Sequence, residues 1–516
     1  MSSPPSQSHP NNRLSVLVVG AGPAGLVLAL ELARRNIDLR IVESRLGPLQ
    51  ASRGKGLQPR TLEIFDDLGL IDQILEDGGE FPPWRSYDGS QLLWEKPIWT
   101  LQGRPKPAPT PDRPYPATWM IPQWRTEDIL RTALAEQGVA VEYGTEFLWA
   151  EEDGDGVTAV IRREGTEKKI LCRVLVGADG ANSGVRRALG IAYPGETSTD
   201  ELYIVADVKA NALEPGYWMN WTPGGDAGRR LSLCPLPHSG YFQLVAPMPP
   251  DLPLPELCLA TLQALFDERT ARGDITLSNV RWIVSHRPDT RLVETMRDGS
   301  VFLVGDAAHS APASPGQGLN LAIQDAYNLG WKLAAVISGA DPKLLDSYEE
   351  ERRPIAAAVL GVLAQQLIEK GAGPDQAEER QRHIQSDIFH LDHNYRDSAL
   401  TTPSPDNIVQ AGDRAPDGRI TDMAGRVARL FELLRGPHVT MLNFVSGITD
   451  LAAAIAPMPG LRVVVILPSA ANHAIRKTYG VAGSVPAYLL VRPDGYVAVR
   501  SDRVEALEHW LHRVFG

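Results

Sequence analysis

The sequence predicts an α/β fold with an antiparallel β insertion and a further small α/β unit at its C-terminal end. Three observations carry this reading. A short apolar run, Ser15 to Val19, enters a glycine-rich turn and then a helical pattern. A second run, Val301 to Val304, enters another glycine-rich turn and another helix. Between them, Tyr193 to Asp289 alternates short apolar stretches such as Leu202 to Val208 and Tyr241 to Ala246 with Pro and Gly turns, the pattern of consecutive antiparallel strands.

The totals set limits. A chain of 516 residues exceeds what one core organises, so several domains are expected. A net charge of -12 argues against a nucleic-acid partner, because phosphate neutralisation calls for a basic surface. No apolar run approaches the roughly 20 residues of a membrane span. Met1 to Asn12 is polar, holds Pro4, Pro5 and Pro10, and lacks the basic-then-apolar order of a secretory signal, so it reads as a disordered leader. Cys172, Cys234 and Cys258 form no CxxC pair and no metal spacing, so no metal is expected and a reducing cytoplasm fits.

In the first unit, the strand ends on Gly20-Ala21-Gly22-Pro23-Ala24-Gly25, a helix runs through Arg34, and a second strand, Asp38 to Val42, ends on Glu43. This is the Rossmann-like dinucleotide fingerprint in its βαβ context. Gly20 permits the tight turn, Gly22 lets the backbone approach a pyrophosphate, and Gly25 lets helix and strand pack. The helix N-terminus aims free N–H groups at the phosphates, and Glu43 is placed to accept hydrogen bonds from a ribose. The fingerprint alone does not separate FAD from NAD.

In the second unit, the strand runs into Gly305-Asp306-Ala307-Ala308-His309, then a loop with Pro312 and Pro315, then a helix starting near Gly318-Leu319-Asn320. Asp306 would repel a bare phosphate but can accept from sugar hydroxyls, which suits the ribityl chain of a flavin better than a second nicotinamide nucleotide. His309 reads as a packing or hydrogen-bonding group. His238 and His286, in the β insertion, read as satisfied or surface histidines.

The pattern GDAAH…GQGLN…DAYNLGWKL resembles the flavin-ribityl motif of the aromatic hydroxylases related to para-hydroxybenzoate hydroxylase. Val176 to Ser183, centred on Asp179-Gly180 and followed by Arg186, is similar to that family's DG motif, which serves FAD and a transient NAD(P)H. Arg53 resembles the arginine that meets the FAD phosphates, Gln123 resembles the glutamine that contacts the flavin nucleotide, and Arg125 is a weaker match to a cofactor contact. Leu57 to Leu70 resembles the helix that follows. Gly316, Gly318, Leu319 and Asn320 match the motif at the flavin ring, and the segment Ser347-Tyr348-Glu349 to Pro354 matches what comes after the flavin domain.

The resemblance implies an FAD-binding domain over 13–190 and 290–370, with 80–120 partly in an antiparallel substrate domain over 191–289. A linker over 371–405 and a thioredoxin-like unit over 406–516 follow. That last unit is similar to the tail of some family members, with Pro486 at the position of the fold's cis-proline, strands at His438 to Val445 and Leu461 to Leu467, and helices at Ile448 to Ile455 and Asp502 to Val514. It contains no cysteine, which excludes disulfide exchange there. The proline-rich Arg104 to Pro116 should be an extended exposed loop. Trp84, Trp94, Trp99 and Trp119 read as core more than as a substrate platform.

The activity implied is an FAD-dependent NAD(P)H:O2 monooxygenase that hydroxylates an aromatic substrate, phenolic or polyketide-like, through a flavin C4a-hydroperoxide. Its partners would be that substrate and O2, and a homodimer is compatible with it. A Baeyer–Villiger or other oxygenation, or an oxidase or dehydrogenase acting on a larger aromatic or secondary metabolite, is the alternative. A non-enzymatic FAD-binding scaffold is the third reading, and the absence of a WxWxIP motif argues against a halogenase. No catalytic side chain can be named from the sequence. One departure stands out. Ala313 replaces a proline of the family pattern and Pro315 replaces a glycine, so the wall beside the flavin ring is expected to be reshaped.

Overall fold

The computed structural model describes residues 13–154, 156–249, 254–311, 316–362, 374–404, 408–422, 424–444, 460–481 and 486–516. The leader Met1 to Asn12, the positions Ala313 and Pro315, the helix expected at Ile448 to Ile455, and Ser484 and Val485 lie outside the described residues.

The first sheet has eight strands. Its centre is β1 (Leu14–Val19), flanked by β2 (Leu39–Glu43) on one side and β3 (Thr166–Gly177) on the other, both parallel to it. The β1-to-β2 crossover is α1 (Pro23–Ala33), with Pro23 at the first helical position, where its missing N–H costs nothing. Strands buried on both faces need continuous apolar runs, and Val16, Leu17 and Val18 are fully buried. The far part of β3 instead pairs antiparallel with Gly156–Arg163, a hairpin strand whose outer residues are exposed.

The second sheet has seven strands. Five are β4 (Leu202–Ala210), β5 (Trp218–Trp221), β6 (Leu231–Pro235), β7 (Phe242–Met248) and β8 (Leu277–His286). They lie in the order β8-β4-β7-β6-β5 and pair antiparallel. Trp84–Asp88 and Gln91–Lys96 complete the edge, and β5 runs parallel to Trp84–Asp88. The wholly antiparallel sheet expected from the sequence is corrected at this junction, because the two strands come from distant parts of the chain and no hairpin fixes their sense. One face packs Ile204, Leu233, Leu244 and Met219 against Phe266 and Leu262 of the helix Leu259–Thr270.

β9 (Val301–Leu303) returns to the first sheet beside β3. It leads to α2 (Gly318–Ile337), which packs on α1 and buries nearly its whole length, and then to α3 (Asp346–Val359).

The expectation of a linker over 371–405 is corrected. Pro374–Ser386 is a helix, and His390, His393 and Tyr395 are buried. Its charged sequence, AEERQRHIQS, is made of good helix formers behind an N-terminal proline. Polar composition suggested a spacer, but the histidines find partners inside the protein. The loop Arg104 to Pro116 is closed on itself by a bridge between Thr110 and Arg113 rather than extended.

The C-terminal sheet has four strands, Leu461–Val465, β10 (Val439–Phe444), β11 (Ala487–Val491) and Val497–Ser501. The last two form a hairpin around Arg492 to Gly495. That hairpin tip is driven into the flank of α2 and α3. Arg492 donates to both oxygens of Glu351 at 2.6 and 2.8 Å, Lys332 donates to Glu351 at 2.7 Å, and Trp331 Nε1 donates to Asp494 at 3.0 Å. All of these groups are buried. Burial pulls the Lys332 ammonium down to about 8 despite Glu351, and Arg492 and Lys332 hold the Glu351 carboxyl well below the usual range against its own burial.

A cleft built from three turns and a sheet face

The glycine turn after β1 is the centre of the site. Gly20 has φ +103°, and a Cβ there would lie 2.3 Å from the Ala178 carbonyl oxygen, so the turn and the DG segment after β3 touch backbone to backbone. Gly22 differs: a Cβ there would meet nothing within 4 Å. α1 has no side-chain cap at its N-terminus, so its first N–H groups face this open space. A Cβ at Gly305 would lie 3.3 Å from Ala24 Cβ, which places the GDAAH turn against the start of α1.

The side chains sort into those that build the cleft and those that face it. Asp179 is a builder. Its carboxylate accepts from Ser183 Oγ and from the N–H groups of Gly184 and Val185. Burial raises its carboxyl, opposed by those donors. Arg186 is another: it donates to the carbonyls of Ala307 at 2.9 Å and Ala181 at 2.6 Å and lies over Tyr193, tying the DG segment with Gly180 to the GDAAH turn. His309 is a third, paired with Asp325 at 2.6 Å. Asp325 in turn accepts from Arg352 and from the Gly305 N–H.

Glu43 accepts from the Ala21 N–H at 3.0 Å. Arg45, which sequence reasoning passed over, grips the same carboxylate through its backbone and guanidinium. Burial raises the Glu43 carboxyl, and these donors more than offset it and lower it overall. A ribose would therefore share this acid with a solvent-facing arginine.

Asp306 faces the cleft. The residue is exposed, and its backbone carbonyl accepts from the Tyr193 hydroxyl at 3.0 Å. Burial raises its carboxyl, opposed by His309 and Arg53. Arg53 is exposed, 5.8 Å from the Trp282 ring. Gln123 accepts from the Gly54 N–H at 2.9 Å and donates to Glu127. Arg125 points away, in ion pairs with Asp77 and Asp128, both at 2.8 Å. At the start of α2, Asn320 accepts from the Gln58 N–H and donates to the carbonyls of Gly56 and Gly316, while Leu319 packs on Gly54. A Cβ at Gly316 meets nothing within 4 Å, and Gly318 is the first residue of the helix. Together the open space at Gly22, the uncapped N-terminus of α1 and the exposed Asp306 carboxylate fit an anionic dinucleotide carrying a sugar chain.

The second sheet closes the cleft. Cross-strand partners share a face, so Asp207 sits with Gln243 and Trp282, Gln243 with Cys234, and Ser232 with Asn220. This is the face opposite the helix Leu259–Thr270. The segment from Ser52 to Leu57 lies on it. The Asp207 carboxylate accepts from the Ser52 N–H and Oγ, and Gln243 Nε2 donates to the Ser52 carbonyl and Oγ. Burial raises the Asp207 carboxyl to about 6, against Ser52 and Lys55. A lone acid inside LYIVADV was the visible signal, but nothing in the sequence paired it with Ser52. His286 stands at the end of β8, its ring pKa lowered by burial and by Arg53, and His238 contacts the Gly78 carbonyl at 3.2 Å. Among the described residues no group of His, Cys, Asp and Glu could hold a metal, and no helix is long and apolar enough to cross a membrane.

Comparison with known proteins extends these observations. An FAD binding domain family matches residues 13–362, and the aromatic-ring hydroxylase C-terminal family matches residues 409–516. A flavin-dependent monooxygenase of Mycobacteroides abscessus is 39% identical over 97% of this chain and 100% of its own. The 6-methylpretetramide 4-monooxygenase of Streptomyces rimosus is 32% identical over 97% of this chain and 92% of its own. The pentachlorophenol 4-monooxygenase of Sphingobium chlorophenolicum is 31% identical over 97% of each chain. Among solved structures, aklavinone-11 hydroxylase with FAD and aklavinone aligns with a TM-score of 0.79 and 26% identity, covering 98% of this chain and 99% of that one.

Proposed function

This chain belongs to the family of FAD-binding aromatic-ring monooxygenases, and on that premise we propose that it hydroxylates a fused-ring phenol with NAD(P)H as reductant. It is a flavin-dependent monooxygenase. When bound, FAD would activate dioxygen, one atom of which is inserted into the substrate while the other leaves as water. The N-terminus of α1 and the turn Gly20 to Gly25 would hold the pyrophosphate, Glu43 the ribose, Asp306 the sugar-alcohol chain, and Gly316 to Asn320 the ring. Arg53 and Gln123 would complete the set. Arg125, with its two carboxylates, is removed from it.

The observation that carries the substrate reading is the face of the second sheet. It presents Trp218, Trp282, Asn220, Gln243 and Asp207 to the segment that also touches the start of α2. A planar polar aromatic fits between such walls, and the sheet and the Ser52–Leu57 segment together keep water from the reacting ring. Relatives named for 6-methylpretetramide and anhydrotetracycline support a fused-ring substrate, beside one named for the single-ring pentachlorophenol.

The test is NAD(P)H oxidation by the purified holoenzyme with single-ring and fused-ring phenols, with product masses recorded. Stimulation by a fused-ring phenol and a product one oxygen atom heavier is the expected result. Stimulation by single-ring phenols alone would overturn the fused-ring reading, and oxidised products without added oxygen would overturn hydroxylation.

A further inference from the structure

Lys55 stands where three parts of the molecule meet. Its chain neighbours are fixed on the cofactor side: the Gly54 N–H donates to Gln123, Gly54 abuts Leu319, and the Gly56 carbonyl accepts from Asn320 at 2.9 Å. Its own side chain crosses to the second sheet. There the ammonium donates to Gln243 Oε1 on β7 and lies 4.4 Å from the centre of the Trp218 ring on β5. Trp218 is in turn packed against Trp84, ring centres 4.5 Å apart, and against Phe81.

Among the described residues Lys55 has no ion-pair partner. Asp207, the acid on the same sheet face, turns both oxygens to Ser52. The other groups near are Cys234, a buried thiol whose pKa burial raises, and Arg281, a second cation stacked 3.9 Å from the Trp124 ring. A half-buried cation held by a neutral amide, the Cys234 thiol and an aromatic face, with no ion pair among the described residues, can take an anion. It sits between the flavin-ring motif and the substrate sheet, where a substrate oxygen would lie.

We infer that Lys55 receives the ionised phenol oxygen of the substrate, so that the enzyme selects phenols that bind as phenolates. This rests on the hydroxylase reading. The substrate O–H gives its proton to water on binding, and the anion left behind is the more electron-rich ring. Lys55 lowers the cost of that ionisation by charge alone and takes no proton itself. An opposite charge at contact distance moves a pKa by about 1–3 units.

The experiment is a spectrophotometric pH titration of 4-nitrophenol and 2-naphthol bound to FAD-loaded wild type, Lys55→Met and Lys55→Arg, read as difference spectra against the holoenzyme. Wild type should bind both as the anion. Lys55→Met should raise the bound pKa by about one unit or more, a tenfold or greater loss of bound anion at fixed pH, and Lys55→Arg should restore it. Flavin content and binding of 4-nitroanisole, which cannot ionise, should be the same in all three. A bound pKa indifferent to Lys55→Met, equal weakening for the methyl ether, or neutral binding by wild type overturns the assignment. Anion binding through Lys55 with no oxygenated product from any phenol would overturn the hydroxylase reading instead and leave the anion site standing.

Discussion

His390 and Gln317 meet side chain to side chain at the foot of α2, the imidazole Nε2–H donating to the glutamine oxygen. His390 Nδ1 accepts from Gln324 at 2.7 Å, so the partners assign a neutral ring protonated on Nε2. His390 lies between the stretches matched by the two families and has the left-handed φ of +60°. Removing the ring in His390→Ala leaves two buried amides short of a partner, at about 1–3 kcal/mol. Flavin affinity, followed by fluorescence during titration of the apoprotein, should fall about tenfold. Unchanged affinity would show that this contact does not hold the ring end of the cleft.

His393 stacks on His390 with ring centres 4.6 Å apart and is equally buried. Burial, aided by Arg352, lowers its pKa to about 3. A depressed folded-state pKa means that the unfolded chain binds the proton first. The stability is complete above the unfolded value, about 6.5, and drains away as pH falls toward 3, at about 1.4 kcal/mol per pH unit. Melting temperature against pH should therefore fall less steeply below pH 6.5 in His393→Phe than in wild type. Parallel curves would contradict the neutral stacked pair.

Asp207 has the opposite sign. Its raised carboxyl stays protonated in the fold up to about 6, whereas the unfolded group ionises near the ordinary aspartate value of about 3.9. Its contribution is complete below that lower value and lost as pH rises through 6. The stability of Asp207→Asn relative to wild type should rise as pH is taken from about 4 to about 7, by on the order of 1–3 kcal/mol. A difference independent of pH would place the carboxyl in water.

Gly20 and Gly22 separate folding from loading. Gly20→Ala forces a Cβ onto the Ala178 carbonyl at a positive φ, and its melting temperature should drop by several degrees even without FAD. Gly22→Ala meets only open space and should melt like the wild-type apoprotein, yet bind FAD at least tenfold more weakly. Normal FAD binding by Gly22→Ala would move the pyrophosphate elsewhere.

Arg492→Met leaves Glu351 with Lys332 as its remaining buried ion-pair partner, and breaking such a pair costs about 3–5 kcal/mol. The double variant Arg492→Met with Glu351→Gln should recover part of the loss in melting temperature. Additive losses would deny the coupling.

The βαβ unit and the later strand–turn–helix unit were legible because turn glycines and flanking apolar runs lie within a short window, and Gly20, Gly22 and Glu43 fall where local rules put them. Asp179 and Arg186 were legible as positions but not as parts: each turns inward onto backbone, which a motif cannot report. Ser52 with Asp207, Lys55 with Gln243, and His390 with Gln317 stayed hidden because each joins residues far apart in the chain. The docked stretch around His390 was hidden for a second reason. Its polar composition looks solvated until the internal partners that neutralise it are known.

The hairpin tip at Arg492 to Gly495 has a consequence for how the chain is made. The helices of the cofactor-binding half cannot settle Lys332 and Glu351 until a segment 141 residues beyond Glu351 has been synthesised. The first half thus leaves the ribosome with these charges still wet, and closes on them only once that segment has followed. A protein truncated before that tip leaves Glu351 and Trp331 without these buried partners, and so weakens the part it keeps as well as losing the part it lacks.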